Sequence, residues 1–140
     1  MNAKQPRVVL DTNVVFEGLT KRGGVAGTII NAWFGGVIQV CVTDALAYKY
    51  IDVLTRKLSA ERIETTIAAL GTLWGKAELV TVYFRWRPSS PDPADEFVID
   101  CALNANAVLV TANLKDFRAA QQELGLQVLS PQQLLMWVAK

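Results

Sequence analysis

Histidine is absent from the 140 residues, and that absence removes whole reaction classes. No Ser-His-Asp triad, no histidine-bearing zinc site and no paired-histidine ribonuclease chemistry can be assembled. Catalysis is left with carboxylates, lysine, tyrosine, or a metal carried by oxygen ligands. Cysteine is scarce. Cys41 and Cys101 both lie in apolar runs, which predicts two buried free thiols in a reducing cytoplasm and excludes a disulfide framework. Charge of one sign is lacking as well: a net charge of +1 provides no broad field for a polyanion, so any nucleic-acid contact has to come from local basic groups. No apolar run approaches the roughly 18–20 residues that span a bilayer. The opening Met1-Asn2-Ala3-Lys4-Gln5-Pro6 reads as a lead into a strand, without the apolar stretch of a signal peptide.

What is present is a core. A hydrophobic share of 51% and a mean hydropathy of +0.24 suit one ordinary packed domain over residues 1–140 and exclude disorder. Five apolar segments read as strands: Arg7–Leu10, Ile38–Val42, Leu79–Tyr83, Val108–Thr111 and Gln127–Leu129. Helical patterns separate them: Val25–Phe34, Thr43 or Asp44 to about Arg56, Ala60–Gly75 behind Ser59, Asp92-Pro93 through Asn106, and Gln132–Val138 behind Ser130-Pro131. Alternation of this kind predicts an α/β three-layer sandwich with a central, mainly parallel sheet. Trp33, Trp74 and Trp137 fall within helical patterns and read as core or dimer contacts.

In such a sheet, ligands gather at the carboxyl ends of the strands. Asp11 follows the first strand directly, Asp95 enters the first turn of the helix opened by Asp92-Pro93, and Asp116 comes just after the fourth strand. If the strands lie side by side, all three face one cleft. Clustered carboxylates repel unless a cation sits among them, and oxygen ligands suit Mg²⁺ or Mn²⁺. Each residue also has a plain structural role: Asp11 in an Asx-turn, Asp95 beside a positive helix end, Asp116 as the cap of a short helix.

Asp11-Thr12-Asn13, Asp92-Pro93-Ala94-Asp95, and Leu109-Val110-Thr111 followed by Asn113-Leu114-Lys115-Asp116-Phe117 together resemble a PIN-domain ribonuclease. The likeness is strongest to VapC-like toxin components that carry Arg-Gly-Gly, here Arg22-Gly23-Gly24, after the first motif. It spans nearly the whole chain, and the motifs are specific in this order rather than singly. The resemblance implies a metal-dependent endoribonuclease, a homodimer, and an antitoxin partner that blocks the cleft. It implies Asp11, Asp95 and Asp116 as catalytic metal-site carboxylates, Asn113 as a further ligand, and Asn13 and Thr111 as their supports.

One position departs. The family usually places a glutamate where this chain has Lys49. Leu46, Tyr50, Val53 and Leu54 form the helix's apolar stripe, and Lys49 lies roughly 60° from its centre at 100° per residue. Lys49 therefore borders the buried face, either as a snorkelling lysine or as an amine among the aspartates. In the cleft it weakens cation binding and implies an impaired nuclease, whether naturally altered or damaged by replacement of a native glutamate. Asp44 and Glu96 are the nearby acids that could compensate. Tyr83-Phe84-Arg85-Trp86-Arg87 interleaves aromatics with arginines, so Arg85 and Arg87, like Arg22, are RNA-contact candidates; solvated arginines are the plain alternative. Two rivals remain: a catalytically silent PIN-like module that binds RNA or protein, and a receiver-like phosphate-transfer domain.

Overall fold

Five short strands pair in the order β3-β2-β1-β4-β5, every neighbour parallel: β1 (Arg7–Leu10), β2 (Gln39–Val42), β3 (Ala77–Leu79), β4 (Val108–Val110) and β5 (Val128–Leu129). The structure is a computed structural model that describes residues 5–21, 23–87 and 90–139. Its helices are α1 (Thr12–Thr20), α2 (Gly24–Phe34), α3 (Asp44–Lys57), α4 (Ala60–Trp74), α5 (Glu96–Ala105), α6 (Arg118–Leu124) and α7 (Pro131–Val138). Short 3₁₀ turns occupy Pro93–Asp95 and Leu114–Phe117. This is the α/β architecture the alternating pattern predicts, a parallel sheet flanked by helices. None of the described helices is long and apolar enough to cross a membrane.

The central strand explains the order. Val8, Val9 and Leu10 are fully buried, as expected for a parallel strand covered on both faces. Helix α5 lies across β1, β2 and β4, while α1 packs on α2, α3 and α4. Helices α1 and α2 approach closely at Gly18, where a Cβ would fall 2.3 Å from Ile30 Cγ1 and 2.7 Å from the Ala26 carbonyl oxygen. Tyr50 is buried, stacks on Trp74 with ring centroids 6.2 Å apart, and donates its hydroxyl hydrogen to the Leu10 carbonyl. That bond ties the middle of α3 to the carboxyl end of β1. Trp33 is buried against Trp74 in an edge-on contact, whereas Trp137 is partly exposed.

Three elements differ from the sequence expectation. The segment after Asp11 continues as α1 rather than as a loop: the Asp11 carboxylate caps it, and Val14 and Val15 enter the core. β-branched residues are mediocre helix formers, so packing rather than propensity makes this helix. The third strand covers Ala77–Leu79 instead of Leu79–Tyr83. Its partner β2 ends at Val42, which pairs with Leu79 and accepts a last bond from Val80 N. Residues 80–86 then follow without regular secondary structure and are held to α5 where the Asn104 side chain accepts from Tyr83 N and Phe84 N and donates to the Phe84 carbonyl. The stretch past Asp116, which carries no strong period, folds into α6 behind the buried Phe117.

Candidate functional site

The strand order reverses direction at β1: the chain leaves it toward β2 on one side and later returns as β4 on the other. A crevice opens outside the carboxyl ends of two such strands. Asp11 follows β1 and Thr111 follows β4, and they meet there. The Thr111 hydroxyl donates to Asp11 Oδ2 at 2.7 Å and accepts from Asn113 N at 3.0 Å. Thr12 N donates to Asp11 Oδ1 at 2.8 Å. Asp11 is 7% exposed and Thr111 is fully buried. Burial pushes the Asp11 carboxyl above its usual range, the Thr111 and Thr12 bonds pull it back, and Asp116 adds a further upward push.

Asp95 sits in the 3₁₀ turn that precedes α5, a turn capped by Asp92 through Ala94 N at 3.0 Å. Its carboxyl is pushed up to about 6, first by burial, then by Asp11, Asp92 and Asp116, against a lowering bond from Ser90. Ser90 Oγ lies 3.4 Å from Asp95 Oδ2 and 3.5 Å from the Asp116 carbonyl oxygen, bridging two loops. The cleft holds about 320 Å³ and is lined by Asp11, Asn13, Asp95, Asn113, Asp116 and Lys49, among others. Carboxylates far apart in the sequence thus share one small crevice. A larger groove of about 680 Å³ near β5 and α7 is lined by no ionisable side chain, so it offers no comparable chemistry.

Lys49 lines this cleft, half-buried, rather than merely fringing the helix. Two cations missed from sequence, Arg56 and Lys57, line it too. They stand seven and eight residues after Lys49, one helical face away by two turns, which is the signal that could have found them. Asp92 and Ser90 were also missed as site residues, the first read only as a helix cap.

The expectation of Mg²⁺ or Mn²⁺ is corrected here. Among the described residues, no group of three or more His, Cys, Asp or Glu side chains is arranged to hold a metal ion. The chemistry of the lining accounts for the misfit. Both Asp11 oxygens are engaged by protein donors, and Lys49, Arg56 and Lys57 set three cations against the four carboxylates Asp11, Asp92, Asp95 and Asp116. An ammonium in place of an anionic ligand removes attraction and adds repulsion toward a divalent cation.

The arginine candidates are placed differently. Arg87 grips the buried Asp100 with both terminal nitrogens, at 3.1 and 2.8 Å, and its Nε lies 3.3 Å from Glu96. Arg85 Nε is 3.7 Å from the same Asp100. These guanidiniums clamp the 80–87 segment onto α5. Tyr83, Phe84 and Trp86 remain exposed beside them, and Phe84 meets Trp86 edge-on with centroids 4.5 Å apart. Arg22 lies outside the described residues. Glu96 is largely buried beside Arg87, and Asp44 begins α3 at a surface position. Neither lines the cleft.

A parallel sheet in this order with an acidic crevice at its switch point defines a PIN-like α/β domain. The PIN domain family model matches residues 7–115, so the chain belongs to the PIN-domain family. Its fold is shared by VapBC2 from Rickettsia felis bound to a promoter DNA fragment, at 12% identity and TM-score 0.60, over 89% of this chain and 98% of that one. DNA-bound VapBC from Salmonella typhimurium is similar at 15% identity and TM-score 0.63, over 91% and 99%. FitAcB from Neisseria gonorrhoeae is similar at 15% identity and TM-score 0.64, over 89% and 98%. No curated protein shows significant sequence similarity to the chain.

Proposed function

We propose that this PIN domain is a catalytically silent module of the toxin–antitoxin type, acting by binding RNA or protein at its switch-point cleft rather than by cutting RNA. The observation that carries this reading is Lys49 on the cleft wall, joined by Arg56 and Lys57 among the carboxylates. A lining of mixed sign suits a ligand that presents both charges, as a polypeptide segment does, and complementary charge fixes register and partner choice. The similar VapBC structures are assemblies of more than one protein, which supports an antitoxin-like protein as the first partner to test. Homodimer formation belongs to the same proposal.

The test uses the full chain with single-stranded RNA, with and without EDTA, beside the Lys49→Glu variant. The expected result is no cleavage by either protein in any condition, together with co-purification of a candidate antitoxin. RNA retention that persists in EDTA would identify RNA as the ligand instead. Cleavage by the chain bearing Lys49 that EDTA abolishes would overturn the silent-module reading, whereas cleavage gained only in Lys49→Glu would identify Lys49 as the residue that silences the site.

A further inference from the structure

A second hollow, of about 560 Å³, opens between the end of α1, the start of α2 and the first half of α4. It shares no lining residue with the cleft of Asp11 and Asp95. Thr66, on α4, lines it and is 7% exposed, yet its hydroxyl has no hydrogen-bond partner among the described residues. Threonines inside helices ordinarily return that hydroxyl to the carbonyl four residues back. Thr20, Thr28, Thr55 and Thr72 all do so here, at 2.6, 3.0, 2.8 and 3.4 Å. Thr66 does not. A buried polar group left unpaired is costly, and such groups mark places where something else completes the bond.

The surroundings say what that would be. Helix α2 starts at this hollow with Gly23 as its N-cap, at φ +72°, and among the described residues no side chain caps its first-turn N–H groups. Those donors and the positive end of an 11-residue helix favour an anion. Lys21 and Arg62 line the hollow against one carboxylate, Glu61. Arg62 is oriented by a 2.7 Å bond from Nη2 to the Thr20 carbonyl and meets no carboxylate among the described residues. Lys21 has only a loose 3.5 Å pairing with the exposed Glu17.

We infer that the hollow formed by the uncapped start of α2, Lys21, Arg62 and the unpartnered Thr66 hydroxyl is a binding site for a phosphate group. A phosphate presents several acceptor oxygens to the donors that line this hollow and takes the negative charge that the helix end favours. Its source is either a small phosphate compound or the backbone of a bound RNA.

Calorimetric titration of the full chain with inorganic phosphate, and separately with a short single-stranded RNA, tests the inference. Saturable binding is expected in at least one arm, weakened about ten-fold in Thr66→Val, which removes the hydroxyl at constant shape. Thr72→Val, on the same helix but bonded to its own backbone, leaves affinity unchanged. Phosphate binding alone identifies a small ligand; RNA binding sensitive to Thr66→Val identifies the nucleic-acid backbone. Lys21→Gln, at an exposed side chain, gives an equivalent loss should the valine disturb packing. Absence of saturable binding in both arms, or affinities that Thr66→Val and Lys21→Gln leave untouched, would overturn the assignment.

Discussion

Replacing Thr111 by valine removes one hydroxyl and breaks two bonds beneath the cleft wall, at Asp11 and Asn113. One is charge-assisted, from Thr111 to Asp11 Oδ2 at 2.7 Å; the other leaves Asn113 N without its acceptor at 3.0 Å. A hydrogen bond to an ionised group contributes about 1.5–3 kcal/mol, and an orphaned N–H that is partly buried costs about 1 kcal/mol more. The expected loss is therefore about 2.5–4 kcal/mol at neutral pH, on the order of 10 °C in melting temperature for a chain of this size. The pH dependence is the sharper signature. Asp11 already stands above the usual carboxylate range, and the Thr111 bond is one of the two that hold it down. A raised carboxyl contributes stability that is present below its unfolded pKa and lost as pH rises through the folded one. Thr111→Val raises Asp11 further, so the variant loses more stability than the parent at neutral pH, and in acid the gap narrows to about 2 kcal/mol, a neutral hydrogen bond plus the Asn113 N–H that stays without its acceptor. Urea unfolding at pH 7 and pH 4 measures both values. A loss below about 1 kcal/mol at pH 7, or one equal at both pH values, would refute this account of the Asp11–Thr111 contact.

Two further outcomes follow from the same geometry. Asp95→Asn removes a carboxyl that is pushed up to about 6 by burial and by Asp11, Asp92 and Asp116. The parent loses stability as pH rises from about 4 to 6, so the variant gains about 1 kcal/mol above pH 6, after allowance for solvent screening, and nothing below pH 4. Thermal unfolding across that range reads the difference. Asp100→Asn takes away the buried acid that both arginines grip. It is expected to destabilise by about 2–3 kcal/mol, the lower end for a broken buried pair because Arg87 can rehydrate. It is also expected to speed proteolysis within residues 80–87, which limited digestion with mass mapping would locate.

Much of the fold was legible because periodicity and punctuation agreed. Thr43 caps α3 and Ser130 builds a full capping box on α7, as their types and positions predict. Cys41 and Cys101 are buried free thiols, with burial pushing them up to about 11 and about 12. Helix α1 was not legible, because Asp11-Thr12-Asn13 is equally good turn chemistry and only the packing of Val14 and Val15 selects the helix. The end of β3 was hidden for a similar reason: alternation through Tyr83 suits a strand, but β2 has no residue left to pair with it. At the cleft, Asp11, Asp95 and Asp116 could be named one by one. Their lining by Arg56 and Lys57, and the clamp of Arg85 and Arg87 on Asp100, could not.

The amino-acid order alone determined which chemistry is open to the chain. With no histidine, and with lysine at position 49, its options narrow to carboxylates and cations on an alternating α/β frame. Tertiary structure decided how those charges balance. Local sequence sets helices, caps and strands within a few residues, whereas the distance from Asp11 to Thr111 spans 100 positions and closes only when β1 and β4 pair. That pairing buries Asp11 between two donors and brings the cationic face of α3 over the acidic end of the sheet. The mixed sign of the crevice is set there, by the summed field of residues that no short stretch of sequence contains.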